Sequence, residues 1–266
     1  MSTESNHMNL VHPSMDSLLP SFLGIGVQKG GTTSLAGLLR QHPLIHLPPR
    51  KELQYFTYHY NRPLSWYTSQ WHGADSFRLR GEITPYYIFH PYAHRRILDT
   101  LPHVKLIILL RDPVERTLSQ YFHAKRLGHE DLELEDALSC EEERLAESTL
   151  RLATPGYRDI QHQENSYLSR SRYETQLPQW ISSFPVSNLL MLRSEFLFSQ
   201  PSDAWSMILD FLGVTNLVFP SCGLSRANAG SHEAALVQSL TRERIRSQLR
   251  RTYDYLDEIG LGWPHL

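Results

Sequence analysis

The chain is poor in cysteine, in charge of one sign and in long apolar runs, and each shortage narrows what it can be. Of 266 residues only Cys140 and Cys222 are cysteines, and they stand in no metal-ligand or redox spacing. They read as free thiols in a reducing compartment. Lysine and arginine number 26 against 28 acidic residues, a net charge of −2. That balance excludes a non-specific nucleic-acid binder, so any anion site must be local. No stretch approaches the ~18 apolar residues of a membrane span. The first twenty residues carry no lysine or arginine, which argues against a secretory leader. The expectation is a soluble cytoplasmic protein with no membrane or nucleic-acid partner and no metal.

What is present suits one globular domain. Hydrophobic residues make up 41% of the chain, enough for a core. Residues 1–20 lack periodicity and read as a loose tail, leaving 21–266 as a single domain. Phe22–Val27 is a short apolar run expected to be a buried strand. Leu35, Leu38 and Leu39 then recur at helical spacing until His42-Pro43 stops them. Val104–Leu110 is apolar nearly throughout, the signature of a strand covered on both faces of a parallel sheet. After it, Asp112, Pro113 and Glu115 suit the N-cap, N1 and N3 positions of a helix running towards Arg126. Leu189–Leu192 reads as another strand, and Ala204–Leu212 as a helix closed by Gly213. Residues 232–258 read as a long amphipathic helix or helix pair, and the acidic run 130–151 as a solvated helical face. Strands alternating with helices imply an α/β fold: a P-loop-like parallel sheet flanked by helices.

The first strand-to-helix turn is Gln28-Lys29-Gly30-Gly31-Thr32-Thr33-Ser34. Glycines let the backbone approach a ligand closely, and a helix start offers N–H groups and a positive dipole end. An anion pocket results, with Lys29 adding charge and Thr32, Thr33 and Ser34 adding hydroxyls. An ordinary glycine-rich turn is the other reading. A nucleotide triphosphatase would carry G-x-x-x-x-G-K-[ST]. Here the lysine precedes the glycine pair instead.

The run Gly26–Leu35 resembles the 5′-phosphosulfate loop of the sulfotransferases that use 3′-phosphoadenosine 5′-phosphosulfate (PAPS), in the branch that includes bacterial sulfotransferases and the heparan sulfate enzymes. The resemblance implies that Gly30, Gly31, Thr32, Thr33 and Ser34 bind the 5′-phosphate and that Lys29 contacts the bridging oxygen of the leaving group. Leu109–Tyr121 is similar to the same family's 3′-phosphate motif, which implies that Arg111 and Ser119 hold that phosphate. Arginine is suited to this, since hydrogen bonds to charged groups contribute about 1.5–3 kcal/mol each. Leu224–Gly230 resembles a late loop that folds over the 3′-phosphate and contributes Arg226; a polar linker is the alternative.

Arg50–Phe56 resembles a family segment whose glutamate is the catalytic base, which implies that role for Glu52. Alternatively Lys51 and Glu52 form a surface charge pair, and His46 or His59 is the base, as in the family's small-molecule branch. Gly81–Tyr87 is similar to a segment that often carries lysine where this chain has Ile83. Twelve of the 28 aromatic residues fall between Tyr55 and Tyr92. They are expected to be mostly core, with a minority walling an acceptor pocket. No long basic stripe for a polyanionic glycan is evident. The implied activity is metal-free transfer of a sulfuryl group from PAPS to a hydroxyl or amine of a small-molecule acceptor. A small-molecule or nucleoside kinase and a non-catalytic nucleotide-binding scaffold are the alternatives, and the oligomeric state stays open.

Overall fold

Two apolar runs form the middle of a five-stranded sheet because each buries both of its faces. The computed structural model describes residues 19–74, 76–214, 219–220, 224 and 232–263. Within it β1 (Phe22–Gly26) and β4 (Lys105–Leu110) are buried along nearly their whole length. Leu23, Ile25, Leu106, Ile108 and Leu110 pack into one core, while Phe22, Ile107 and Leu109 pack into a second on the opposite face. This alternation is what a strand covered on both sides requires. β2 (Ile45–His46), β3 (Leu79–Ile83) and β5 (Leu189–Arg193) complete the sheet in the order β2-β3-β1-β4-β5, with every neighbouring pair parallel.

β3 and β2 lie on one side of β1, and β4 and β5 on the other. The crevice beyond the carboxyl ends of β1 and β4 therefore sits where the strand order reverses, the favoured ligand position in open α/β sheets. Two helices start there. α1 (Thr32–Leu39) follows β1 after a cap at left-handed Gly31. Its start lies three residues before the expected Leu35, which brings Thr32, Thr33 and Ser34 into the first turn. With α2 (Leu64–Thr68) and α3 (Ala93–Thr100) between them, the next is α4 (Pro113–Arg126). Asp112 caps α4 by accepting the Glu115 N–H at 2.9 Å, and Pro113 takes N1.

The acidic run 130–151 is largely the solvated helical face its composition suggests, with Asp131, Glu133, Glu135, Asp136, Glu142, Glu143 and Glu147 exposed, but two of its carboxylates turn inward. It forms three short helices, α5 (Leu134–Ser139), α6 (Glu141–Leu145) and α7 (Ser148–Leu152). Glu130 and Glu141 within it are buried. Glu130 bonds the Arg144 guanidinium at 2.6 Å and Tyr167 Oη at 2.8 Å, and Glu141 accepts the Leu168 and Ser169 N–H groups at 2.7 Å each. A charge run does not disclose which carboxylates meet partners elsewhere in the chain.

α8 (Ile160–Glu164) and α9 (Tyr173–Ser183) lead to β5, and α10 (Ser194–Ser199) and α11 (Pro201–Leu212) follow it, α11 being closed by left-handed Gly213. The segment expected as one helix or a pair is three: α12 (His232–Ala235), α13 (Ser239–Gln248) and α14 (Arg250–Glu258). No helix among the described residues is long and apolar enough to cross a membrane. Cys140 is a free thiol; Cys222 lies outside the described residues.

Candidate active site

Three non-glycine residues among those described have left-handed backbones: Lys29 (φ 70°), Glu52 (φ 62°) and Gln54 (φ 57°). Such a conformation costs about 1–3 kcal/mol at each and persists where the surroundings impose it. Lys29 and Glu52 line one cleft of about 340 Å³ at the carboxyl ends of the strands.

The floor of this cleft is the turn from β1 into α1. Gly30 is required by crowding: a Cβ there would stand 2.5 Å from the Leu109 carbonyl oxygen and 2.9 Å from Val27 Cγ2. The missing side chain lets the loop lie directly on β4, to which Val27 N–H is also bonded at 2.8 Å. Gly31, at φ 93°, supplies the left-handed cap. No side chain caps α1. The first N–H groups of a helix have no carbonyl partner within it, and here Thr32, Thr33 and Ser34 face the cleft from that first turn. A loop too close to its neighbour for any Cβ, an uncapped helix start and three hydroxyls form a donor set that suits a phosphate.

The Lys29 ammonium makes no hydrogen bond or ion pair with the described residues. Burial pushes its ammonium down from 10.5 to about 8, and the charges of Arg126, Arg111, Arg116 and Lys51 push in the same direction. A cation held among other cations stabilises an anion arriving between them. Arg111, at the end of β4, donates to the Lys29 carbonyl oxygen at 3.2 Å, so residues 82 positions apart in sequence are joined. Its pairing with Glu115 is long, 4.0 Å. Ser119 is buried and does not itself line the cleft. It sits on α4 four residues from each of two residues that do, Glu115 and His123. Arg226 lies outside the described residues.

Glu52 lines the same cleft. Lys51 Nζ donates to its Oε1 at 2.7 Å and Gln54 Nε2 to its Oε2 at 3.3 Å. The Lys51–Glu52 pair is real, and both members face the cleft with 23% and 35% of their side chains exposed. The glutamate is thus partly exposed, not buried. Neither rival histidine reaches the cleft. His46 packs on Phe77, and His59 packs between Tyr58 and Trp66.

Sequence reasoning missed His123, whose imidazole lines the cleft and is held at about 4 by burial and by the charges of Lys29 and Arg126. It is neutral near pH 7. Its place four residues after Ser119 was the available signal. Gln28 also lines the cleft and is bonded by the buried Arg170, which lies between the rings of Tyr86 and Phe89. Nothing local marked Arg170. Ile83 belongs to the core, 3% exposed, and packs on Gly24. A charge there would be buried among apolar groups, and Lys51 instead brings a cation to the cleft. None of the twelve aromatic residues between Tyr55 and Tyr92 lines the cleft; Pro85 and Phe198 supply its apolar surface.

Residues 19–224 match the family model described as a sulfotransferase domain. The membrane-associated sulfotransferase kil1 of Dictyostelium discoideum is 29% identical over 75% of this chain and 57% of its own length. Human heparan sulfate glucosamine 3-O-sulfotransferase 3B1 is 30% identical over 75% of this chain and 47% of its own. The chain spans about half the length of the curated relatives it matches. A crystal structure of a sulfotransferase from Alicyclobacillus acidocaldarius aligns with a TM-score of 0.68 at 25% identity, covering 88% of this chain and 95% of that one.

Proposed function

The chain belongs to the sulfotransferase family, and we propose that it moves a sulfuryl group from PAPS to a hydroxyl or amine of a small-molecule acceptor without a metal ion. One observation carries this reading: two residues in left-handed strain, a desolvated lysine and a glutamate, line the same cleft as an uncapped helix start. Gly30, Gly31, Thr32, Thr33 and Ser34 take the 5′-phosphate. Arg111, with Ser119 behind it on α4, takes the 3′-phosphate. Glu52 accepts the acceptor's proton as its oxygen or nitrogen bonds to sulfur. Lys29 donates to the bridging oxygen as the sulfur–oxygen bond to the phosphate breaks. Adenosine 3′,5′-bisphosphate leaves with the electron pair of that bond.

A second acceptor class has its own support. Arg50, Arg62 and Arg158 gather around Tyr58 and His59, beside Glu52, with Arg158 over the Tyr58 ring and Arg62 over Trp66. That local cation cluster suits an anionic saccharide. Radiolabelled PAPS offered with 4-nitrophenol, glucosamine and an N-sulfated heparan oligosaccharide separates the two. Label on the phenol or amino sugar supports the small acceptor; label on the oligosaccharide alone moves the assignment to the saccharide. Glu52→Gln should lower turnover by about 10²–10⁴-fold and leave bisphosphate affinity unchanged. No transfer from PAPS to any acceptor, with the nucleotide bound, sinks the proposal.

A further inference from the structure

Below the cleft lies a carboxylate that the reaction does not use. Glu82, on β3, is 2% exposed. Tyr67 Oη donates to its Oε1 at 2.6 Å, Tyr87 Oη to the same oxygen at 2.8 Å, and Thr84 Oγ1 to its Oε2 at 2.9 Å. Burial pushes the Glu82 carboxyl up, and these three bonds, with one from the Leu53 backbone N–H, oppose it by favouring the charged form. Leu53 is the residue between the two left-handed positions, Glu52 and Gln54.

We propose that Glu82 is a positioning residue for Glu52: its carboxylate, gripped by Tyr67, Tyr87 and Thr84, fixes the turn that carries Glu52 into the cleft. The inference rests on the reading of Glu52 as the base. Two routes connect them. The direct one is the N–H of Leu53, the residue between the two left-handed positions. The second runs through rings. Tyr67 stacks on Tyr55 at 4.3 Å with planes 10° apart, and Phe56 sets its edge against Tyr67 at 5.3 Å and Tyr87 at 5.5 Å. Tyr55 and Phe56 directly follow the turn. Arg96 then holds the Phe56 and Thr57 carbonyls at 3.0 and 3.2 Å, while Thr57 fixes Gln54 Oε1 at 2.8 Å and so aims the Gln54 amide at Glu52.

Four donors converge on a group that only accepts. A carboxamide at this position would present an NH₂ to some of them, a mismatch at a side chain that is 2% exposed. Glu82→Gln therefore keeps the size of the side chain and breaks the grip on the turn. The wild-type strain at Glu52 and Gln54 would then relax and move the base off its proton.

A double-mutant cycle tests this, using radiolabelled PAPS with the panel acceptor that turns over fastest, or with water as acceptor and sulfate release as the readout. Glu82→Gln should lower kcat by on the order of 10–100-fold, the cost of a small misplacement, with KM for the donor and affinity for adenosine 3′,5′-bisphosphate within about twofold of wild type. On a Glu52→Gln background it should lower kcat no further. Multiplying losses in the double variant, or full kcat in Glu82→Gln, overturns the inference while leaving the base reading intact. Full turnover by Glu52→Gln alone overturns both. If Glu82→Gln does not fold, Tyr87→Phe keeps the ring and removes one donor. The same cycle then applies, with an expected loss of about tenfold that vanishes on the Glu52→Gln background.

Discussion

Lys29 gives the donor site a pH dependence that can be worked out in advance. Its ammonium is held at about 8 by burial and by the surrounding cations. A bound phosphate reverses the local field and raises it again. The protonated lysine binds the anion, so affinity for adenosine 3′,5′-bisphosphate should be flat below pH 7.5 and fall as pH rises through 8. The slope approaches tenfold per unit, and the loss between pH 7.5 and 9.5 comes to about 25-fold, roughly 2 kcal/mol. Isothermal titration calorimetry across that range reads it directly, with heats in buffers of different ionisation enthalpy reporting proton uptake above pH 8. Lys29→Arg should bind with a flat profile, because guanidinium stays charged throughout. Lys29→Met should bind weakly at every pH, also without slope. A flat wild-type profile, or an unchanged slope in Lys29→Met, would refute the placement of this lysine against the nucleotide.

The other predictions concern the second phosphate, the loop and the acid limit of the fold. Arg111→Lys loses the two-pronged contact and should weaken bisphosphate binding by about 10–100-fold while changing ADP affinity little, measured by the same calorimetry. Gly30→Ala drives a Cβ to 2.5 Å from the Leu109 carbonyl oxygen, so thermal denaturation should show a loss of about 1–3 kcal/mol together with lost nucleotide binding. Burial alone would raise the Glu130 carboxyl. Bonds from Arg144, the Leu132 N–H and Tyr167 outweigh it and hold the group at about 2 instead of 4.5. The resulting stabilisation, about 3 kcal/mol, is complete above pH 4.5 and lost as pH falls towards 2. Denaturant titrations of wild type and Glu130→Gln should show that acid-sensitive component only in the wild type.

The donor half of the site was legible because it is local. Gln28–Ser34 and Leu109–Ser119 each follow an apolar strand, and a strand covered on both faces announces itself in composition. The helix cap by Asp112 and Pro113 was equally local. β3 was not legible: Leu79-Arg80-Gly81-Glu82-Ile83 carries two charges and a glycine. It is a strand because a Cβ at Gly81 would overlap the Phe22 ring and because Glu82 finds its donors on distant segments. The grip on Glu52 depends on those same non-local partners, and Arg170 meets Gln28 from 142 positions away. Most of the aromatic residues between Tyr55 and Tyr92 belong to or pack on the core, and none lines this cleft, whose apolar wall is Pro85 and Phe198.

On this reading the cleft takes a nucleotide phosphorylated at both the 3′ and the 5′ position. Thermal denaturation with adenosine 3′,5′-bisphosphate, ADP and ATP–Mg²⁺ tests it most directly. At a hundredfold its dissociation constant a ligand adds about 2.7 kcal/mol, a rise of roughly 5–10 °C for a chain of this size. The bisphosphate should produce that rise at concentrations where ADP produces little and ATP–Mg²⁺ none. A shift with ATP–Mg²⁺ and none with the bisphosphate would contradict the account.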